Sequence, residues 1–284
     1  MKLSMAVGAM LLALTLPAQA SDADWTTSAA PFRIAGDIYY VGTKGIASYL
    51  IVSNRQAILL DVGLEQNAPL VERNIAALGF KLSDVKIILN SHAHFDHAGG
   101  IARLKRDTGA KLYASPGDRW ALEHGTHDGE TTYPRGHFPP VGVDHVLKDG
   151  ESVALGGARM TATFTPGHTP GCTTWSTQAV EAGRTLNVVF PCSLSVAGNV
   201  LVGNRRYPGI VADYKRSFAV LGAMKADIVL SNHPEIADVL GREARVRAGQ
   251  GSAFIDRALL ADIVSDARRA FDADLKKQQQ AKKR

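Results

Sequence analysis

The sequence predicts an α/β fold in a single domain. Three observations carry that reading: short β-rich runs alternate with helical patterns, an apolar run at 85–89 leads straight into a cluster of histidines, and no linker or low-complexity break interrupts the chain before its basic end. The 284 residues, 45% hydrophobic and 21% charged, are ample for a large buried core.

The first twenty residues read as an export signal. Lys2 gives a basic start, Ala6 to Leu16 an apolar stretch, and Ala18-Gln19-Ala20 a small-residue cleavage site. The expected organisation is a signal peptide over 1–20, then one domain over 21–284 with a basic C-terminal tail, in the periplasm or secreted. The apolar stretch is shorter than the roughly 20 residues a bilayer needs, and no later run reaches that length, so no membrane association is expected.

Strands are predicted at 47–52 and 57–61, followed by a helix over 69–78 that ends near Gly79. Val85-Lys86-Ile87-Ile88-Leu89 is an apolar strand, and a helix from about Ile101 stops at Gly109. Further strands are expected near 153–155, 158–164, 173–176, 185–190 and 227–230, with a helix near 213–224. In the last helix Ile255, Leu259, Ile263, Phe271 and Leu275 form one stripe at helical spacing, with Ala267 between them, which is core packing.

The formal charge of +5 falls to +4 without Lys2, and Lys276, Lys277, Lys282, Lys283 and Arg284 concentrate five positive charges at the end, read as a solvated tail. The body is near neutral and carries no basic stripe interleaved with aromatics, which argues against nucleic-acid binding. Cys172 and Cys192 are the only cysteines, so the chain is not a disulfide scaffold, and whether they pair is left open.

The chemistry concentrates in His92-Ala93-His94-Phe95-Asp96-His97. In an extended segment alternate side chains point the same way, so His92 and His94 can bring two imidazoles to one ion while Asp96 and His97 face a second. Imidazole and carboxylate are zinc ligands, at about 2.0–2.2 Å. His168, in Thr165-Pro166-Gly167-His168-Thr169-Pro170-Gly171, and His233 also follow predicted strands, so all can converge on one rim where α/β sheets place ligands.

Together with Asp61-Val62-Gly63 at a strand end, these motifs resemble the metallo-β-lactamase superfamily across roughly residues 30–270. The resemblance implies a four-layer αβ/βα sandwich with the metal site at one edge of its two sheets. Cys192-Ser193-Leu194-Ser195, Gly203 to Pro208 and Asp213 to Phe218 are most similar to β-lactamases of subclass B3. On that resemblance His92, His94 and His168 hold a first zinc, Asp96, His97 and His233 hold a second, and Asp61 orders the site without being a ligand.

Where glyoxalase II and many lactonases of this fold carry an aspartate that bridges the zincs, this chain has Ser193. Cys192 is one position away, and the period of two turns it to the opposite face. Ser193 is therefore read as not binding metal, and Ser193 and Ser195 as contacts for the substrate's carboxylate. Tyr133, in a loop that borders the cleft, is a further candidate substrate contact. Of the remaining histidines, His124, His127, His137 and His145, the first three lie in or beside that loop, and surface histidines are as good a reading for them as a role at the cleft.

The implied activity is hydrolysis of the β-lactam amide bond, with Asp96 as the catalytic carboxylate. Two zincs supply a metal-bound hydroxide, because metal binding lowers the pKa of water from 15.7 to about 7. The expected partner is a small-molecule β-lactam antibiotic, met by a monomer outside the cytoplasm. Two other readings stand beside it: an exported hydrolase of the same fold acting on lactones or other esters, and a non-catalytic zinc-binding protein.

Overall fold

The computed structural model describes residues 23–132 and 136–283. The segment expected to be an export signal and Tyr133 lie outside the described residues. The chain begins with an antiparallel run, β1 (Phe32–Ala35), β2 (Ile38–Tyr40), β3 (Tyr49–Ser53) and β4 (Gln56–Leu60). It then turns to parallel pairing, which requires crossovers. Helix α1 (Ala68–Ala77) carries it to β5 (Val85–Leu89); α2 (Phe95–Ala98) and α3 (Ile101–Thr108) lead to β6 (Lys111–Ala114), and α4 (Pro116–His124) precedes β7 (His145–Val146). These seven strands form one sheet in sequence order.

The second sheet is a meander of β8 (Ser152–Leu155), β9 (Ala158–Phe164), β10 (Thr173–Glu181) and β11 (Arg184–Phe190). Helix α5 (Ile210–Ala223) crosses back so that β12 (Ile228–Val229) pairs parallel to β11, and α6 (Val239–Arg247) and α7 (Leu259–Lys282) complete the chain.

The period of two explains the layers. In the first sheet Leu50, Leu59 and Ile88 pack with Val71 and Ile75 of α1, Leu104 of α3 and Leu122 of α4. Their neighbours Ile51, Ile58, Leu60 and Leu89 turn the other way, against Met160, Ala162, Trp175 and Val188 of the second sheet. Tyr214, Phe218, Leu260, Val264 and Phe271, from α5 and α7, belong to this second core. The result is the expected four-layer αβ/βα sandwich.

Expected elements lie within a few residues of the observed ones, and the glycine stops hold: Gly109 is left-handed at φ +71° after α3, and Gly79 sits at φ +85° just beyond α1. The lysines of the basic end are exposed but lie on a helix. Lys276, Lys277 and Lys282 are residues of α7, and Gln278 on that helix accepts the Leu201 N–H at 2.7 Å and donates to the Asn199 carbonyl at 2.9 Å. Among the described residues, no helix is long and apolar enough to cross a membrane.

Candidate metal centre

Five strands end at one rim. The segments after β4, β5, β9, β11 and β12 carry Asp61, His92 to His97, His168, Ser193 and His233 respectively. His94 keeps extended geometry, φ −98° and ψ 154°, and caps α2, so Asp96 and His97 lie in that short helix, where they meet His233, while the His97 ring stays 4.3 Å from that of His92.

Three groups of donor atoms converge among the described residues, and two match the grouping expected from the sequence: those of His92, His94 and His168 lie within 4.8 Å of one another, and so do those of Asp96, His97 and His233; the third joins His92 to Cys172 and Cys192. In the second, His97 Nε2 lies 3.2 Å from Asp96 Oδ2 and 3.2 Å from His233 Nε2, and His233 Nε2 lies 3.4 Å from Asp96 Oδ2. Donor atoms about 2.0–2.2 Å from a tetrahedral zinc stand roughly 3.3–3.6 Å apart, so this triangle fits the ion.

The outer nitrogens fix which face of each ring is available. His92 Nδ1 is 3.0 Å from Ser91 Oγ, and among the described residues its buried Nε2 has no hydrogen-bond partner. His168 Nδ1 donates to the Ser195 carbonyl at 2.7 Å, which leaves Nε2 for the site. His233 Nδ1 donates to the Gly45 carbonyl at 3.1 Å. A buried, orphaned ring nitrogen is costly unless something binds it, and a cation does.

Electrostatics agree. Burial pushes His92 and His94 well below the ordinary imidazole range and His168 down to about 4, so these rings are neutral near pH 7 and present lone pairs. Burial alone would raise Asp96, but the neighbouring His97 and hydrogen bonds from His233 and His97 outweigh it and hold the carboxyl well below its usual range. Burial would likewise depress His233; its contact with Asp96 raises it instead.

A set of carboxylates supports the rim. Asp61 is not in either cluster: its Oδ1 accepts from the Ser91 N–H at 2.7 Å and from Asn90 Nδ2 at 3.1 Å, and its Oδ2 accepts from Ser91 Oγ at 2.5 Å and lies 3.8 Å from His97 Nδ1. Asp118, not singled out in the sequence, ties the two ligand loops together. It accepts from the Ala93 N–H at 2.9 Å, Thr169 Oγ1 at 2.9 Å and the Gly171 N–H at 3.0 Å. Close packing there requires glycine, since a Cβ at Gly171 would collide with the Asp118 backbone and one at Gly117 with the Pro170 carbonyl.

A cavity of about 190 Å3 opens over the clusters, with Ser193, Ser195 and Asp96 in its wall. Ser193 is 7% exposed and its Oγ is 3.2 Å from that of Ser195. Cys192 does not line the cavity, and although its sulfur lies within 4.8 Å of a His92 ring nitrogen it is bonded to Cys172, which closes the question the sequence left open and removes either sulfur as a metal ligand. Trp25 and Phe95 supply an apolar wall, with the Trp25 ring 5.6 Å from that of His233. Nothing near Trp25 in the sequence marks it out. Of the loop-region histidines, His127 lines the cavity and is buried, whereas His124 bonds the Trp120 carbonyl on the surface. His145 pairs with Glu151 at 2.6 Å, remote from the clusters. The larger groove, about 770 Å3, lies at the opposite edge of the sheets and holds no histidine or cysteine.

A two-sheet sandwich whose strand ends gather two histidine-rich triads defines a metallo-hydrolase. A family model described as the metallo-beta-lactamase superfamily matches residues 41–233, and the chain belongs to that superfamily. A subclass B3 metallo-β-lactamase of Bradyrhizobium japonicum superposes with a TM-score of 0.87 at 42% identity, covering 91% of this chain and 98% of that one. The native metallo-β-lactamase of Legionella gormanii superposes at 0.84 with 40% identity, covering 89% and 98%. A hydroxyacylglutathione hydrolase of Methylococcus capsulatus is 38% identical over 95 residues, which is 34% of this chain and 29% of that protein.

Proposed function

We propose that the chain is an exported zinc β-lactamase of the B3 type. The observation that carries the substrate class is Ser193. It stands on the cavity wall where ester-cleaving members of the superfamily would place a bridging aspartate, and Asp96 is the one acid among the described residues lining the cavity. The near-complete coverage of B3 enzymes at about 40% identity supports the same reading, whereas the likeness to a hydroxyacylglutathione hydrolase extends over a third of the chain.

In this reading His92, His94 and His168 would hold one zinc and Asp96, His97 and His233 the other. Bound zinc supplies Lewis acidity and lowers the pKa of a coordinated water to about 7. The protein's own groups do the positioning. Asp96, deprotonated at neutral pH, would hold the second metal through Oδ2 and help orient the attacking group toward the amide carbonyl. The Ser193 and Ser195 hydroxyls donate to the substrate carboxylate, and Trp25 and Phe95 cover its apolar body and exclude water from that side.

Steady-state assays with a carbapenem, an acyl-lactone and an S-acyl-glutathione thioester test the assignment. Carbapenem turnover that chelation abolishes is expected. Lactone or thioester turnover with no β-lactam turnover would overturn it, and two bound zincs with no turnover of any of the three would mark a non-catalytic metal protein. Export is tested by N-terminal sequencing of the mature chain, which should begin after Ala20.

A further inference from the structure

Each histidine of the first cluster has its outer nitrogen engaged, but one of the three partners is unusual. His92 meets a serine hydroxyl and His168 a backbone carbonyl, whereas His94 Nε2 lies 2.8 Å from Nδ1 of another histidine, His127. The two ring centroids are 4.7 Å apart. His127 is 7% exposed and sits three residues beyond α4. Gly129, at φ +149°, lets the loop pass over the ring's far edge, and a Cβ there would lie 2.9 Å from His127 Nε2. The His127 ring is thus held in place with Nδ1 aimed at His94.

This arrangement has a chemical consequence. With Nε2 engaged by His127, the nitrogen that His94 turns to the cluster is Nδ1, the reverse of His92 and His168. A neutral imidazole has one protonated and one bare nitrogen, so Nδ1 can bind a cation only when Nε2 carries the proton, and a fixed acceptor for that proton favours this tautomer. His127 Nδ1 is that acceptor. It is not itself part of the ligand set, because the donor atoms that converge within 4.8 Å belong to His92, His94 and His168.

We propose that His127 is a positioning residue which selects the Nδ1-binding tautomer of His94 by accepting its Nε2–H, and so sets the affinity of the first metal site. The inference rests on reading His92, His94 and His168 as a zinc triad, and it is independent of which substrate is cleaved.

Two measurements on the full-length mature protein decide it. The first is a nitrogen-15 spectrum of the zinc-loaded, histidine-labelled protein, in which long-range couplings distinguish metal bound through Nδ1 from metal bound through Nε2. The wild type should show His94 bound through Nδ1, with a slowly exchanging Nε2–H. The second is zinc affinity by competition with a chelator. H127A should weaken the first site about 10- to 100-fold, the usual effect of removing a partner of a metal-bound histidine. H127N, which can place its side-chain oxygen near the position of Nδ1, should recover most of the affinity and the slow proton. His94 bound through Nε2, or unchanged affinity in H127A, overturns the proposal. A maximum of one zinc in H127A and H127N at saturation also overturns it, because His127 would then be a ligand. If H127A does not fold, the wild-type spectrum and the H127N affinity still decide. A wild type that binds no zinc at these histidines refutes the triad reading itself, and absence of β-lactam turnover alone leaves this inference standing.

Discussion

The Asp118 carboxylate accepts the Ala93 amide at 2.9 Å, with the same Oδ2 that takes the Thr169 hydroxyl, so one buried side chain holds the loop of His92 and His94 against the loop of His168. The candidate ligand histidines are thus kept in register by a residue whose hydrogen bonds go to their loops and not to their rings.

Replacing Asp118 by Ala strands three buried donors, at about 1–3 kcal/mol each when left unpaired. D118A should lose several kcal/mol in chemical denaturation and lose zinc at the first site. A variant with wild-type stability and zinc content would show that the three contacts do not organise the loops.

The same group makes a prediction in pH. Burial raises the Asp118 carboxyl to about 6 despite its three hydrogen bonds, against an ordinary 3.8. A folded value above the unfolded one means ionisation costs stability: the penalty is absent below about pH 4, grows up to about pH 6, and is constant above. D118N does not ionise. In zinc-stripped protein the stability of the wild type relative to D118N should thus fall by up to about 3 kcal/mol between pH 4 and pH 6. Urea titrations across that range measure it, and a pH-independent difference would contradict it.

His168→Ala removes a donor from the first cluster and leaves the second intact. Zinc content by mass spectrometry should drop from about two to about one per chain, with activity lost. Full zinc content and unchanged turnover would show that the third ligand lies elsewhere. Ser193→Ala, in contrast, should keep both metals and raise KM about 10-fold with little change in kcat, the value of one hydrogen bond to a charged group. Loss of a zinc in that variant would make Ser193 a ligand.

The C-terminal helix supports the site from outside. Gln278 holds Asn199 and Leu201 by their backbone, and Asn199 Nδ2 in turn donates to the His168 carbonyl at 2.9 Å. Deleting residues 276–284 breaks two hydrogen bonds, about 1–3 kcal/mol in all. The melting temperature should fall by roughly 2–4 °C for each kcal/mol lost. An unchanged melting temperature would show that these two contacts do not support the fold.

The site was legible in the sequence where ligand density was high. Four donors in the six residues from His92 to His97, at the end of an apolar strand, are more than a solvated loop needs, and the strand-end positions of His168 and His233 placed them on the same rim. Asp118 and Trp25 were not legible, and for His127 the sequence left a surface position and a place at the cleft equally open. They reach the site from a helix start, a loop and the N-terminal segment, through contacts whose partners are 25 to 208 residues away in the chain. The short elements escaped for a local reason: β1, β2 and β6 have three or four residues each, too few to show a period. Helix α4 did carry a start signal, Ser115-Pro116 with Asp118 in the first turn, but its polar surface hid the pattern. Gln278 shows the limit at the other end, since nothing in a lysine- and glutamine-rich run distinguishes an amide bound to a loop from one in water.

The most direct test of the central claim is one preparation of the mature enzyme, assayed for zinc content and for carbapenem hydrolysis before and after chelation. About two zincs per chain, with hydrolysis that disappears on chelation and returns with added zinc, is the predicted result. Two zincs with turnover of lactones or thioesters and none of the carbapenem would contradict it.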